Sequence, residues 1–521
     1  MTNSEILNIL WKIEDTLPVN ELKLGKIPIW PLARFSYSCL IRHYYKKKII
    51  CNKNISVDSL KSNKEIETRI ATSESQEEPL LKNILSNHSG SNLFFSFDFE
   101  NTELIDGKRY NPYIDPLFEV CQQVHGNCVK LELAHKQNTR LEFVHPPQYY
   151  SLTSLKLKKR YGALALSNMV VPNNWNETII AICFHKDSEI QSALSRDDQI
   201  SFDAHRHFYK FILRKLKPTS VFFECFWSIP LFALTAACSE LHIPTIDIQH
   251  GRNHPHPAYS QYKKIPKEGY SIIPRYFWTR DPHSYSNLAH WKDSAHKSFL
   301  GKNPWLEKRK NNLTANQKKF LEKINKTKKI ILFALHDGSL VPHFWADLIK
   351  SFPKEYFFLF RVHPMNIKEW ISNDWEPGKM ELKIADRYRE KLEMAHKTCG
   401  PVCKSFLDTH NIKNGDIEFA STIPLPILLK STSIIVTYQS SIYLEALEFG
   451  LRTIFLHTDG RDACPELIQN GTCSYAKDEN AIIEEINNSR QIIRIQDIKK
   501  NTKTQLIELF NDFNKSNNYE S

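Results

Sequence analysis

The chain contains no run of about 18 or more apolar residues, so hydropathy gives no membrane-spanning helix. Its first fifteen residues carry Glu5, Glu14 and Asp15 and lack the basic-then-apolar pattern of a secretory signal, which makes a cytoplasmic location the expectation. Neither a G-x-G-x-x-G fingerprint nor a Walker loop is present, which sets aside nicotinamide dinucleotide and P-loop ATP binding. There is no internal repeat of about 20 to 50 residues, so no solenoid or propeller is expected. The 11 cysteines are scattered. Cys399 and Cys403 form the closest pair, with no second pair or nearby His-x3-His to complete a zinc site. Reduced thiols and no resident metal or cofactor are expected.

What is present suits a soluble globular protein of two or three domains: 521 residues, 41% apolar and 12% aromatic. Lys and Arg number 69 against 58 Asp and Glu, a mild excess of +11 with a pI near 8.9. That balance is compatible with an anionic substrate or an anionic membrane surface. No nucleic-acid partner is expected.

Residues 1–90 read as an extension. An aromatic, basic helical segment runs from Trp30 through Phe35, Tyr37, Leu40, Ile41, Tyr44 and Tyr45 to Lys46–Lys48. It suits a helix packed on the main body or one docked on a partner or the inner membrane face. A polar linker follows over 52–90. From 91 to 300, short apolar strands alternate with helices: strands over 93–97, 128–133, 220–225 and 243–248, and helices from Leu117, over 191–216 and over 229–241. The same alternation over 301–480 places strands at 330–334, 356–360, 416–419, 433–436 and 453–456. A closing helical segment occupies 481–521. Alternation of this kind predicts α/β lobes with parallel sheets, doubly wound and Rossmann-like, facing each other across a cleft.

Polar motifs gather at the predicted strand ends, which is where such sheets bind ligands. In the second lobe, Ser440 and Ser441 start a helix that runs to Phe449. One serine suffices for capping, and a pair at a strand-to-helix turn suits a phosphate, with Glu445 one turn on able to accept from a ribose or sugar hydroxyl. Arg361 and His363 are two apart at another strand tip and would lean to one side, with Pro364 fixing the turn. Gly338 lies at a third tip beside Asp337. In the first lobe, His250 ends a strand before Gly251, where an imidazole can take a proton from an acceptor hydroxyl. The loop beyond it, with Asn253, His254 and His256, suits lining the acceptor side of a cleft. Asp106 and Asp337, each before a glycine, are alternative bases, and the choice among the three stays open.

With these residues, the chain resembles the GT-B glycosyltransferases of bacterial surface-polysaccharide (capsule and O-antigen) assembly. The nearest group includes bacterial sialyltransferases, capsular Kdo transferases and CDP-glycerol glycerophosphotransferases. The resemblance covers about residues 90–480. It implies that Arg361-Val362-His363-Pro364 and Ser440-Ser441 hold the phosphate of a cytidine nucleotide, and that His250-Gly251 matches the His-Gly of the glycerophosphotransferases. There the family continues Thr-Pro-Leu-Lys, where this chain has Arg252-Asn253-His254-Pro255. Ile105-Asp106-Gly107 is similar to the acidic-acidic-Gly base motif of the sialyltransferases, with one acid missing. The resemblance implies an inverting, metal-independent transferase that takes a CMP- or CDP-linked nucleotide-sugar to an oligosaccharide or lipid-linked saccharide acceptor. Polyol-phosphate transfer, sugar-nucleotide 2-epimerisation and a non-catalytic assembly scaffold are the other readings.

Overall fold

The computed structural model describes residues 2–51, 88–97, 103–105, 108–133, 143–146, 149–151, 157, 168–184, 194–291, 293–307, 313–327, 329–335, 345–361, 407–488 and 501–517. The first helix, Asn3–Thr16, is closed by a capping box between Thr2 and Glu5. Two short strands, β1 (Lys23–Leu24) and β2 (Ile27–Pro28), turn the chain into a second helix, Trp30–Cys51. Neither helix stands free. Leu10, Ile13, Trp30, Ala33, Tyr37 and Ile41 are fully buried in one core with the first lobe. The side chains of Tyr37 and Ile41, which a membrane-surface helix would offer to lipid, are therefore spent on internal packing. Among the described residues no helix is long and apolar enough to cross a membrane.

The first lobe contributes β3 (Asn92–Phe97), the hairpin β4 (Glu103–Ile105) and β5 (Lys108–Tyr110), then β6 (Cys128–Leu133), β7 (Tyr149–Ser151), β8 (Met169–Val170), β9 (Ser220–Glu224), β10 (Thr245–Ile248), β11 (Tyr276–Thr279) and β12 (Lys297–Leu300). β8 pairs with β1 and so ties the extension to this lobe. Seven strands form a parallel sheet in the order β12-β11-β10-β9-β3-β6-β7. The strands β9, β10 and β11 are buried at every residue, Glu224 and Asp247 included, as in a sheet covered on both faces.

The second lobe is a parallel sheet of β13 (Lys329–Ala334), β14 (Tyr356–Arg361), β15 (Gly415–Asp416), β16 (Ile434–Thr437), β17 (Arg452–Phe455) and β18 (Cys473–Tyr475). Its order is β15-β14-β13-β16-β17-β18. In both sheets the first strand lies inside, with the next two on one side and the later ones on the other. The winding therefore reverses between β3 and β9 and again between β13 and β16. Loops leaving the strands at such a reversal diverge and open a crevice.

The two-lobed, doubly wound α/β fold is as expected, with local differences. The strand expected over 416–419 stops at Asp416, because Glu418–Thr422 winds into a helix. β7, β11, β12 and β18 are additional to the expected strands. The closing segment divides between the lobes. Ile482 and Ile486, on the helix Glu479–Asn487, join the second-lobe core. The helix Thr502–Asn517 returns to the first lobe, where Leu506, Leu509 and Phe513 pack with Phe94, Phe222 and Trp278. Asp512 accepts from the Tyr276 hydroxyl at 2.7 Å and pairs with Lys297 at 3.0 Å. Cys39 is an exposed free thiol, and Cys121, Cys128, Cys183, Cys225, Cys238, Cys464 and Cys473 are buried ones.

Candidate functional site

At the reversal in the second sheet, Ala334 of β13 lies beside Thr437 of β16. The Thr437 hydroxyl donates to the Ala334 carbonyl at 2.8 Å and accepts from Ser440 N at 3.3 Å, which turns the chain out of the strand. Ser440 Oγ then accepts from Ile442 N at 3.3 Å. Ser441 occupies the N-cap position without a side-chain capping bond. One serine thus serves the helix, and the hydroxyl of the other is not spent on it. The helix, Ile442–Glu448, is only 7 residues long. Its dipole is correspondingly short-ranged, and the hydroxyls and first-turn N–H groups matter more.

The first lobe meets this turn with the residues that follow β10 and β11. Gln249 clamps its own turn: Nε2 donates to Gly251 O at 2.9 Å and to Ser284 Oγ at 2.7 Å, while Oε1 accepts from Arg280 N at 2.7 Å. Arg280, the residue after β11, donates from Nη2 to the His250 carbonyl at 3.1 Å and from Nη1 to Glu445 Oε1 at 2.9 Å. Gly251 comes so close to the second lobe that a Cβ built on it would stand 3.4 Å from Ser441 Oγ. Further along the seam, Arg252 Nη1 donates to Asp459 O at 3.0 Å, and His283 Nε2 donates to Ala463 O at 3.2 Å. The extension reaches the same place, with Asn3 N donating to Asp459 Oδ1 at 3.0 Å.

The His250 imidazole packs against Tyr113, with ring centroids 4.4 Å apart. Tyr113 is held in turn by Asn111, whose Oδ1 accepts from Tyr113 N at 2.9 Å and Ile114 N at 3.0 Å. Asn111 Nδ2 donates to Glu224 Oε1 at 2.9 Å, so the end of β9 supports the wall on which His250 rests. His250, Gly251 and Ser441 thus converge from sequence-distant strand ends.

Several sequence expectations are corrected. Arg361 does not lean toward the serine turn. Its side chain is buried, and Nη1 donates to the carbonyls of Ala420 and Ile423 at 2.9 and 2.8 Å, closing the end of the helix Glu418–Thr422. Glu445 is not an open acceptor for a sugar hydroxyl, since its carboxylate is buried in the ion pair with Arg280. The loop after Gly251 folds into the lobe rather than lining the cleft. Asn253 is 3% exposed and donates from Nδ2 to Ser284 O at 2.8 Å. His254 Nδ1 lies 3.1 Å from Ser260 Oγ, and burial lowers its pKa. The His256 ring packs against Trp227 at 4.7 Å and Tyr259 at 5.3 Å, and burial pushes its pKa down to about 3. Asp106, Asp337, Gly338, His363 and Pro364 lie outside the described residues.

Arg280 and Tyr113 were not anticipated as site residues. Arg280 carries a sequence signal, because Tyr276–Thr279 is a largely apolar run ending in Arg-Asp-Pro, the same strand-end pattern as at His250. Among the described residues, no three His, Cys, Asp or Glu side chains gather where a metal ion would bind. Chemically, the arrangement offers an imidazole as proton acceptor on one lip and a hydroxyl with backbone N–H groups on the other.

No known protein family and no curated protein matches the chain by sequence. Solved structures similar to it include a UDP-GlcNAc 2-epimerase from Methanocaldococcus jannaschii, at 12% identity and a TM-score of 0.45 over 81% of this chain and 99% of that one. A UDP-GlcNAc 2-epimerase from Neisseria meningitidis bound to UDP-GlcNAc gives 17% and 0.42, over 82% and 93%. The glycosyltransferase SnogD from Streptomyces nogalater gives 11% and 0.38, over 82% and 95%. Likenesses this distant leave the chemistry to the residues of the site.

Proposed function

We propose that the protein is an inverting glycosyltransferase that moves a sugar from a nucleotide donor to a hydroxyl of a bacterial surface saccharide or its lipid-linked precursor. The observation that carries this reading is the approach of His250-Gly251 to Ser441 at the reversal of the second sheet. The donor's phosphate would sit at the Ser440–Ser441 turn, where the hydroxyl of Ser441 meets it. His250 would take the proton from the acceptor hydroxyl as its oxygen bonds to the anomeric carbon. The bond from that carbon to phosphate breaks in the same step, and the nucleotide leaves with the electron pair. Approach of the two lobes excludes the water that would hydrolyse the donor. A cytidine-activated donor follows from the family resemblance.

The test begins with thermal-shift titration of CMP, CDP, UDP, GDP and dTDP, which ranks the donor base. Donor turnover is then measured with oligosaccharide acceptors. His250→Gln is expected to lower kcat at least about 100-fold, the scale of a lost general base, while nucleotide affinity holds. Ser441→Ala is expected to weaken nucleotide binding. Full turnover by His250→Gln would sink the reading. So would consumption of UDP-GlcNAc without any acceptor, which is 2-epimerase chemistry.

A further inference from the structure

The guanidinium of Arg280 touches both lobes at once. Nη1 donates to Glu445 Oε1 across the cleft at 2.9 Å, and Nη2 donates to the His250 carbonyl at 3.1 Å. The residue is 4% exposed, and its Nε is buried as well. The group is planar and rigid, so its two contacts are not independent. A rotation that gives up Glu445 also withdraws Nη2 from His250. The Tyr113 ring lies against both partners, its centroid 5.5 Å from the guanidinium carbon and 4.4 Å from the His250 ring centroid. The Gln249 clamp is different, because its partners Gly251, Ser284 and Arg280 N all belong to the first lobe.

We infer that Arg280 is a positioning residue that couples closure of the two lobes to the placement of His250. The inference rests on His250 being the acceptor base. With Glu445 in place the guanidinium is locked and fixes the backbone from which the imidazole projects. When the lobes part, the lock is released, and His250 keeps only the Gln249 clamp on its turn.

Two measurements on the full chain test this. In the first, histidines are labelled with 13C at Cε1, and the His250 signal is identified by its loss in His250→Gln. Glu445→Gln, on the opposite lobe, is expected to shift or broaden that signal, and Arg280→Gln to do the same. An unmoved signal in Glu445→Gln overturns the coupling. The second uses the sugar nucleotide that the wild type turns over. Arg280→Lys keeps a charge opposite Glu445 but loses the fork, so kcat is expected to fall at least about 10-fold with KM within about 3-fold and thermal stability close to wild type. Recovery of kcat in Arg280→Lys would reduce Arg280 to a staple and overturn the inference. If no sugar nucleotide is turned over at all, the transfer reading fails, and the His250 signal still decides the coupling.

Discussion

Glu14 and Arg34 lie on separate helices and meet at 2.8 Å, with both side chains wholly out of solvent. Glu14 also accepts from Trp30 Nε1 at 3.0 Å and from Lys263 N at 2.7 Å. Arg34 donates to the carbonyls of Pro257, Ser260 and Gln261, and its guanidinium carbon is 3.9 Å from the Tyr262 ring centroid. The pair therefore fastens the N-terminal extension to the loop that begins at Gly251. Removing one member strands the other charge and several loop carbonyls. Arg34→Met is expected to cost about 3–5 kcal/mol in urea denaturation, with part of it recovered in the double variant Glu14→Gln/Arg34→Met. A loss below about 1 kcal/mol would show that the pair contributes little.

Acid is expected to loosen the first lobe through His296. Its Nδ1–H donates to Pro274 O at 2.8 Å and its Nε2 accepts from Tyr270 N at 2.9 Å, an arrangement that fits only the neutral ring. Burial pushes its pKa down to about 4. The unfolded chain titrates near 6.5, so the contribution is intact above that pH and is lost as pH falls toward 4, at up to about 1.4 kcal/mol per pH unit. Urea midpoints measured from pH 7 to pH 4 should fall, and the slope should flatten in His296→Gln. Gly269 supplies a second handle. Its φ is +74°, and a Cβ there would stand 2.4 Å from His296 Nε2. Gly269→Ala should therefore destabilise the protein at every pH.

How much of this was legible in the sequence follows from how local each interaction is. Apolar runs such as Ile330–Ala334 and Tyr356–Phe360 announce buried strands because burial on both faces requires continuous apolarity. Strand ends are local too, so Gln249-His250-Gly251 and Ser440-Ser441 were visible as candidates, and they do meet. Side-chain direction is not local. Two-residue spacing says that Arg361 and His363 share a side of an extended segment but not which side, and the helix Glu418–Thr422 claims Arg361. Glu445 finds Arg280 across 165 residues, which no periodicity encodes. His256 turns inward because Phe35 and Trp227 arrive from remote segments to cover it.

The sheet interior carries a second buried charge cluster. Lys130, in the middle of β6, pairs with Asp115 at 2.6 Å and Glu132 at 3.3 Å, and all three side chains are at most 1% exposed. Ser96 Oγ donates to Glu132 Oε1 at 3.2 Å, and Asn111 N donates to Asp115 Oδ2 at 2.8 Å. Asn111 is also the residue that holds Tyr113 beside His250. Lys130→Met leaves two buried carboxylates facing each other without a cation, and a loss of about 3–5 kcal/mol is expected. Lys130→Arg, which keeps the charge but brings more bulk into a packed interior, should lose less. Equal stability of Lys130→Met and wild type would refute a stabilising role for the cluster.

Asp247 should give the opposite pH dependence to His296. It lies on β10, three residues before His250, and is 1% exposed. The Tyr259 hydroxyl donates to its Oδ2 at 2.5 Å, and Phe226 N donates to Oδ1 at 3.3 Å. Burial dominates these bonds and pushes its pKa up to about 8. The unfolded chain ionises this group near 3.9, so the folded state is favoured below that pH and loses ground as pH rises toward 8. Asn keeps the shape without the ionisation. The melting temperature of Asp247→Asn relative to wild type should therefore climb from pH 5 to pH 8, with the free-energy difference changing by at most about 1.4 kcal/mol per pH unit. A difference that stays flat over that range would mean that Asp247 is already ionised in the folded protein, with the Tyr259 hydroxyl stabilising the anion.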